Sequence, residues 1–209
     1  LIELNNHLNL TRLVNGNDYW VSQVFDSLWP LKRELNQPDL RREIIDVGSG
    51  CGFPGIAVAI VLPGSKLILI EAIKKKKEAL ESIIKELKLE SQIIVRNERV
   101  ELTGQNKDFR ESFDISMARA VGADSVVSEY LIPLTKLKGE AILFKGKWGQ
   151  IDKDKLIKPL INLKADIKQV DKINLPEGRG VRHIIRLLKK DLCPKKYPRE
   201  IGVAKKNPL

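Results

Sequence analysis

Four glycines within eight positions follow a short β-branched run that contains an acid, and this segment is the part of the chain best suited to chemistry. It reads Ile44-Ile45-Asp46-Val47-Gly48-Ser49-Gly50-Cys51-Gly52-Phe53-Pro54-Gly55. Glycine tolerates backbone angles that other residues avoid, and it has no Cβ to hold a ligand away. A strand that breaks into such a loop before an apolar helix builds a nucleotide pocket at the carboxyl edge of a sheet. We therefore expect a nucleotide ligand at this loop.

Two spacings of these glycines indicate different nucleotides. Gly50, Gly52 and Gly55 match the G-x-G-x-x-G fingerprint of NAD enzymes. Gly48, Gly50 and Gly52, with Asp46 two residues ahead, match instead the loop that binds S-adenosylmethionine in methyltransferases. Because the first glycine of a dinucleotide loop directly follows its strand, the methyltransferase spacing fits the end of this strand better.

An acid at the end of the next predicted strand supports an adenosine ligand with either spacing. Residues 66–70 are predicted to form this strand, and Glu71 follows it, 23 positions after Gly48. A carboxylate in this position can accept hydrogen bonds from both ribose hydroxyls. We therefore expect Glu71 to contact the ribose.

The fourth predicted strand and the positions of the cysteines limit which atoms could accept a methyl group. It runs Phe113-Asp114-Ile115-Ser116-Met117-Ala118-Arg119-Ala120, without the Asp/Asn-Pro-Pro-aromatic loop usual in enzymes that methylate exocyclic amines. Methylation of cytosine C5 needs a nucleophilic cysteine over the ring, but Cys51 lies in the glycine loop and Cys193 near the end of the chain. An acceptor that is already nucleophilic remains, and guanine N7 is one, since it has a lone pair and no proton to lose. Such a reaction needs mainly proximity and alignment, which can supply about 7–11 kcal/mol.

Two arginines stand where a target base would enter. Arg99 follows the third predicted strand, and Arg119 ends the fourth. Arginine recognises guanine O6 and phosphate through its geometry, so both are candidates to position the base. Either could instead be a structural ion-pair partner, for instance of Glu98, Glu101 or Asp124.

The elements that must position these residues alternate between helix and strand. A helical segment over residues 1–36 comes first and is closed by Pro38. The predicted order after it is strand 43–47, helix 54–62, strand 66–70, helix 73–88, strands 92–96 and 113–117, helix 122–135, and strands 139–145, 167–174 and 181–189. This order predicts an α/β fold with a mostly parallel sheet and an antiparallel edge hairpin, as in Rossmann-like class I methyltransferases. A plain doubly wound sheet would show the same pattern.

Length and composition bound the organisation of the chain. With 209 residues, 43% of them hydrophobic, it can bury one substantial core. We expect an N-terminal helical segment at 1–38, a methyltransferase domain at 39–190 and a basic C-terminal arm at 191–209. Because the chain begins with Leu1 and its only methionine is Met117, we expect the natural start to lie upstream.

Several features argue against a membrane or a metal. No apolar run reaches the ~20 residues that span a bilayer, and no signal peptide opens the chain. Two distant cysteines and two histidines predict neither a disulfide framework nor a metal site. We therefore expect a cytoplasmic protein, and we expect it to be a monomer.

The charge balance favours a polyanionic partner. The chain carries 37 Lys and Arg against 27 Asp and Glu, a net charge of +10. Residues 189–209 contain seven basic and two acidic residues among three prolines, which predicts an extended basic arm or else a solvated tail. A lysine run at 74–77 opens a helix, where the helix dipole disfavours cations. We expect this run either to contact phosphate or to form a solvated face.

These residues resemble the small-subunit ribosomal RNA guanine-N7 methyltransferase G family, also called glucose-inhibited division protein B. The resemblance covers almost the whole chain. The matching motifs are Asn9-Leu10-Thr11-Arg12, Asp26-Ser27, the loop from Asp46 to Gly55, Arg99-Val100-Glu101, Ala118-Arg119-Ala120, Lys145-Gly146, Arg182-His183 and the tail Tyr197-Pro198-Arg199-x-x-Gly202-x-x-x-Lys206-x-Pro208-Leu209. The chain departs from the family pattern at Ser22-Gln23, where many members carry Arg-His, and at Ala204, where the tail commonly has Pro.

The resemblance implies an S-adenosylmethionine-dependent transfer of a methyl group to one guanine of small-subunit (16S) rRNA, offered as naked RNA or as an assembled small subunit. The cofactor residues it implies are Gly48, Phe53, Glu71, Ala72, Ile73, Val100, Glu101 and Arg119. Candidates for RNA contact are the basic residues of the matched motifs, the lysine run and the tail, namely Arg12, Lys75, Lys76, Lys145, Arg182, Lys195, Lys196 and Arg199.

Three other functions stay open on the residues alone. Another class I methyltransferase, acting on a different RNA or on a protein, would share the same pocket. An NAD-linked oxidoreductase would use the alternative glycine spacing, but no convincing proton donor accompanies it, since His183 lies in a late strand and Tyr130 in a helix. A non-catalytic RNA-binding protein would keep the pocket only as a remnant.

Overall fold

A mixed sheet forms the centre of the computed structural model, which describes residues 1–2, 5, 10–11, 13–14 and 16–209. Its strands are β1 Glu43–Val47, β2 Lys66–Ile70, β3 Ile93–Arg96, β4 Phe113–Arg119, β5 Thr135–Lys145, β6 Ala165–Asn174 and β7 Val181–Lys189. Their order across the sheet is β3-β2-β1-β4-β5-β7-β6. Neighbours from β3 to β5 are parallel, whereas β7 pairs antiparallel with both β5 and β6. The predicted parallel sheet with an antiparallel edge hairpin is confirmed.

Helices cover both faces of this sheet. They are α1 Gly16–Tyr19, α2 Asp26–Leu28, α3 Lys32–Leu35, α4 Gly55–Val61, α5 Lys74–Glu86, α6 Val100–Gln105, α7 Asp124–Leu131, α8 Gln150–Leu163 and α9 Val203–Lys206. A π-helical stretch, Trp20–Phe25, and a 3-10 turn, Trp29–Leu31, join the first three into a helical segment. It covers residues 16–35 of the segment predicted at 1–36, whereas residues 10, 11, 13 and 14 are not helical and the other positions from 3 to 15, except residue 5, lie outside the described residues. No helix in the described ranges is both long enough and apolar enough to cross a membrane.

Alternation along β1 shows how the two faces are built. Ile44 belongs to the core on one side, with Trp29 and residues of α4 and α5. Ile45 and Val47 belong to the core on the other side, with residues of α7 and α8. Because successive side chains of a strand point to opposite faces, a strand buried on both faces is apolar at nearly every position. Asp46 is the exception among the buried residues of β1, and it lies at the end of the strand where the glycine loop begins.

Three helices, α6, α8 and the short α9, are missing from the sequence-based prediction. In α8 the pattern is obscured by Pro159 and by charged residues, but Leu156, Leu160 and Leu163 are buried at the spacing of one helix face. The carboxylate of Asp152 accepts a hydrogen bond from the Gly149 N–H at 2.9 Å and so caps the helix start. This helical spacing was the signal available in the sequence.

The prediction of an extended basic arm at 191–209 is wrong. Cys193, Tyr197 and Ala204 are buried in the core beside α7. The guanidinium of Arg110 donates hydrogen bonds to four carbonyl oxygens, those of Gly104, Cys193, Pro194 and Tyr197, at 2.6–3.1 Å. These bonds satisfy backbone groups that regular secondary structure would otherwise pair, so a proline-rich segment can pack against the domain.

Arg110 should therefore hold the C-terminal segment in place. We expect Arg110→Ala to lower the free energy of unfolding by about 2–4 kcal/mol, because hydrogen bonds from a charged donor would be lost. Urea denaturation followed by circular dichroism measures this change. Arg41→Ala is the control. Arg41 is exposed and its ion pair with Glu43, at 3.5 Å, is a weak surface contact, so this change should alter the free energy of unfolding by less than about 0.5 kcal/mol. Equal stabilities for the two variants would contradict the assignment.

Candidate active site

The glycine loop turns sharply between β1 and α4. The N–H groups of Gly48 and Ser49 donate hydrogen bonds to the Ile70 carbonyl oxygen at 2.9 and 3.1 Å. Gly48 has a φ of +72°, and a Cβ at this position would come within 2.7 Å of Val121 Cγ2. The positive φ and the lack of space both exclude any residue with a side chain at position 48. The loop stays open for a ligand on the side that faces the strand ends.

Asp46 anchors the far end of this loop. Its Oδ2 accepts a hydrogen bond from the Gly55 N–H at 3.0 Å, and a Cβ on Gly55 would come within 2.7 Å of the same oxygen. The residue is 1% exposed, and its Oδ1 has no hydrogen-bond partner among the described residues. Burial raises the pKa of the Asp46 carboxyl to about 6, against the opposing effect of the Gly55 hydrogen bond.

Glu71 joins the glycine loop to the start of α5. One oxygen of its buried carboxylate accepts a hydrogen bond from the Gly50 N–H at 3.0 Å, and the other accepts one from the Ile73 N–H at 2.8 Å. Each carboxylate oxygen has more than one lone pair, so these bonds leave acceptor capacity for a ligand. The side chain lies at the strand end where the sequence analysis expects ribose.

A cleft opens beside this loop, and we refer to it as the cofactor cleft. It is lined by Val47, Gly48, Ile70, Ala72, Glu98, Arg99, Val100, Val121, Tyr130 and Lys205. Its walls are largely apolar, as an adenine ring requires, and the glycine backbone approaches it closely. The adenosyl part of S-adenosylmethionine fits this cleft. The walls are apolar, the backbone at Gly48 has no room for a Cβ, and the Glu71 carboxylate is nearby.

Glu101 lies under the cofactor cleft and is 2% exposed. Its Oε1 accepts hydrogen bonds from the Tyr130 hydroxyl at 3.2 Å and from the Gly202 N–H at 3.0 Å. Arg99 approaches the same oxygen to 3.5 Å, so the predicted ion-pair alternative for Arg99 is present. Burial, with the Glu101 carboxylate as a further cause, raises the pKa of Tyr130 to about 12. The phenol therefore remains a neutral donor.

A second cleft lies next to the first, and we refer to it as the base cleft. It is lined by Leu13, Ser22, Gln23, Asp26, Arg119, Ala120, Phe144, Lys145, Gly146 and Arg182. These residues come from the helical segment, the ends of β4 and β5, and the start of β7. The π-helical stretch contributes Ser22 and Gln23, and such stretches occur frequently at functional sites.

Arg119 is the residue that links the base cleft to the glycine loop. Its guanidinium donates hydrogen bonds to the Gln23 side-chain oxygen and, at 3.3 Å, to Ser27 Oγ. It lies 3.5 Å from Asp26 Oδ2 and 5.9 Å from the centre of the Phe53 ring. Burial lowers the pKa of Arg119, whereas Asp26 has the opposite effect. The positively charged guanidinium of Arg119 therefore has polar, acidic and aromatic contacts on several sides.

Gln23 has a wider role that the sequence analysis did not assign. Its amide nitrogen donates hydrogen bonds to Thr11 Oγ1 at 2.8 Å and to Cys51 Sγ at 3.7 Å. One buried side chain therefore joins the N-terminal segment, the glycine loop and Arg119. Nothing in the local sequence distinguishes this glutamine, because the three contacts come from distant parts of the chain.

The structure separates the two arginines proposed to position the base. Arg119 lines the base cleft, whereas Arg99 lines the cofactor cleft. Lys145 and Arg182 lie in the base cleft, where Lys145 pairs with Asp124 at 2.6 Å.

The remaining predicted residues fall into three groups. Gly48, Ala72 and Val100 line the cofactor cleft. Phe53 and Ile73 lie outside its lining, on the loop and at the start of α5. Arg12 lies outside the described residues.

Comparison with known proteins agrees with this geometry. The fold and the cofactor cleft define a class I S-adenosylmethionine-dependent methyltransferase. A solved S-adenosylmethionine-dependent methyltransferase from Aquifex aeolicus aligns with a TM-score of 0.60 at 11% identity, covering 87% of this chain and 97% of the other. TrmK from M. capricolum, solved with S-adenosyl-homocysteine, aligns with a TM-score of 0.58 at 14% identity, covering 77% of this chain and 68% of the other. These two structures support the fold alone.

The particular family follows from sequence comparison. The model of the rRNA small subunit methyltransferase G family matches residues 1–184. A protein named ribosomal RNA small subunit methyltransferase G from Prochlorococcus marinus is 51% identical over 209 residues, covering 100% of this chain and 83% of the relative. The Synechococcus sp. protein of the same name is 49% identical over 205 residues, covering 98% and 81%. The chain belongs to this family.

The buried Asp46 predicts a specific pH dependence of stability. Its folded pKa of about 6 lies above the ordinary value of 3.8, so the folded state holds an extra proton between these two pH values. Stability should therefore fall as pH rises through this window, by up to about 3 kcal/mol, and the loss should be complete above it. Asp46→Asn keeps an acceptor for the Gly55 N–H and removes the titration.

Chemical denaturation of both proteins at steps from pH 4 to pH 7 tests this dependence. The stability of Asp46→Asn relative to the natural sequence should increase over that range, since all other titrating groups are shared. A difference that stays constant with pH would show that burial does not raise the pKa of Asp46 in the folded protein.

Proposed function

We propose that this protein transfers a methyl group from S-adenosylmethionine to N7 of a guanine in small-subunit rRNA. The observation that carries the proposal is the pair of adjoining clefts at the carboxyl edge of the sheet. One cleft fits an adenosyl group, and the other is lined by Arg119, Lys145 and Arg182. Membership of the rRNA small subunit methyltransferase G family supports both the reaction and the substrate.

The cofactor cleft would hold S-adenosylmethionine through backbone, apolar contact and one carboxylate. Gly48 allows close approach of the backbone, Val100 offers an apolar wall, and Glu71 accepts hydrogen bonds from the ribose. When bound, the cofactor supplies a methyl group on a positively charged sulfur. The protein then has to orient the acceptor, exclude water and place the base in line with that methyl group.

The ionisable groups of the base cleft favour an acceptor that needs no deprotonation. Asp26 is the acid among the lining residues, and it already pairs with Arg119 and Arg182. Lys145 is held by Asp124, so its ammonium is not a ready base. Guanine N7 presents a lone pair and loses no proton on methylation. A single Arg119 donor on the neighbouring O6 would orient this edge of the base and leave N7 open.

Exposed lysines outside the two clefts would contact the RNA backbone. Lys75, Lys195 and Lys196 are exposed, and Lys76 is partly exposed. Arg199 is no longer a candidate, because its guanidinium donates to the fully buried Glu129 carboxylate at 2.6–2.8 Å and serves the packing of the C-terminal segment. We propose that the remaining lysines bind phosphate, that the substrate is either naked rRNA or the assembled small subunit, and that the protein acts as a cytoplasmic monomer.

Transfer of labelled methyl from S-adenosylmethionine to small-subunit RNA tests the proposal. RNA from cells that lack the modification is offered naked and as assembled subunits, and label should appear as 7-methylguanine at one site. Replacing that guanine with 7-deazaguanine should abolish transfer. Arg119→Lys should lower the rate about 100- to 1,000-fold, as loss of an oriented donor does in other active sites, while the exposed Arg41→Lys should not. Label on another atom or molecule would contradict the proposal.

The salt dependence of RNA binding tests the phosphate contacts. Combined Lys195→Ala and Lys196→Ala substitutions should lower the slope of log affinity against log salt by about 1–2, since each phosphate contact releases condensed counterions. The matched control replaces Lys85 and Lys32, which are equally exposed and are not predicted to contact RNA. Deleting the whole segment is not informative, because its buried residues belong to the core. An unchanged slope would place RNA elsewhere on the surface.

A further inference from the structure

Of the described residues that line the base cleft, Asp26 is the one that carries a carboxylate. It is 5% exposed and begins α2, directly after the π-helical stretch. Its Oδ2 is shared by two cations, with Arg119 Nη1 at 3.5 Å and Arg182 Nε at 3.3 Å. Three elements distant in sequence therefore meet at one oxygen atom.

The other oxygen of this carboxylate is differently placed. Among the described residues, Asp26 Oδ1 accepts no hydrogen bond, and it is not among the side-chain atoms sealed from solvent without a partner. A carboxylate has about four lone-pair positions, so one oxygen can hold the arginines while the other accepts from a ligand.

The proposed reaction moves positive charge into this cleft. The N7 lone pair forms the new N–C bond, the S–C bond breaks with its electron pair on sulfur, and no proton leaves. The base thus gains one positive charge. Arg119 and Arg182 would oppose that charge, since both guanidinium groups line the same cleft. A carboxylate against the base would offset the repulsion most strongly when the charge has developed, which is the requirement for catalysis.

We propose that Asp26 is a specificity-determining residue that accepts hydrogen bonds from the N1–H and N2 amino group of the target guanine through Oδ1. This assignment rests on the proposed function. N1–H and the N2 amino group are donors in guanine, whereas adenine presents an acceptor at N1 and no amino group at C2. Asp26 thereby selects guanine, and its contact strengthens as the ring becomes cationic.

A purely structural Asp26, which only holds the two arginines, predicts different behaviour. Its loss would slow methyl transfer to any base in the cleft by the same factor. A direct contact instead couples the residue to one atom of the substrate, and such coupling is what a double-substitution cycle measures. Inosine supplies the substrate half of the cycle, because it keeps N7, O6 and N1–H and lacks the N2 amino group.

The experiment uses small-subunit RNA joined from transcripts and a synthetic segment that carries guanine or inosine at the target position. Single-turnover methyl transfer and equilibrium RNA binding are measured for the natural sequence and for Asp26→Asn. With the natural sequence, inosine should lower the transfer rate about 10- to 100-fold, the usual effect of losing a hydrogen bond to a charged group. In Asp26→Asn the amide oxygen would face the two arginines, which are both donors, so the NH2 group would replace the Oδ1 acceptor. This variant should show a similar loss on guanine and little further loss on inosine, with a smaller change of the same sign in binding.

The inosine penalty is the factor by which the transfer rate falls when inosine replaces guanine. An equal penalty in both proteins, or no penalty with the natural sequence, would overturn the proposal. Asp39→Asn is the matched control, since Asp39 is exposed and lies away from both clefts, and it should keep the full inosine penalty. Melting temperature and cofactor affinity show whether Asp26→Asn is folded, and the inosine comparison with the natural sequence holds even if it is not. Absence of transfer to guanine RNA by the natural sequence would refute the proposed function itself, which separates the two failures.

Discussion

The position of both clefts depends on the place in the sheet where the order of the strands reverses, between β1 and β4. β1 and β4 are adjacent and parallel, yet the connection after β1 leads to α4 on one face and that after β4 leads to α7 on the other. The carboxyl ends of the two strands therefore separate into a crevice that the chain cannot fill with its own backbone. The cofactor cleft opens along this crevice, and the base cleft lies beside it at the ends of β4 and β5, where Arg119 is part of its lining.

Packing around this crevice leaves little freedom in the glycine loop. Gly48 is pressed against Val121 from the turn that follows β4, and Gly55 is pressed against Asp46 of β1. Glu71 holds the middle of the loop from the neighbouring strand through the Gly50 N–H. The loop is thus shaped before any ligand arrives, and pre-organisation of this kind lowers the ordering cost of binding.

Much of the positive charge of this protein serves its own structure. Arg186 is almost fully buried and pairs with Glu34 and Glu140, which ties the helical segment to β7. Lys189 is fully buried and donates to Glu111 at 2.6 Å. The count of 37 Lys and Arg therefore overstates the cationic groups available to RNA, while the net charge of +10 already allows for the acids that pair with them. The same reasoning explains how a basic C-terminal segment comes to lie against the domain, with Lys205 at the edge of the cofactor cleft.

Local signals in the sequence determined the regular elements and the cofactor loop. The predicted strand 66–70 is confirmed without change, and the strand before the glycine loop is likewise confirmed at Glu43–Val47. Such elements follow from runs of apolar residues and from glycine, whose effects act within a few positions of the chain. The same holds for the acid at Glu71, which is recognisable because it ends a strand.

Tertiary structure alone decided which charged groups meet. Asp26 and Gln23 contact Arg119 from a distant part of the chain, and Arg182 contacts the same Asp26. No spacing in the sequence reveals that these residues share one cleft. The packing of residues 191–209 was equally hidden, because Arg110 acts on carbonyl oxygens about 85 positions away, and backbone carbonyls are the same in every residue. Sequence thus determines where a nucleotide can bind, whereas the pairing of buried charges, which requires three-dimensional proximity, decides what the second cleft can recognise.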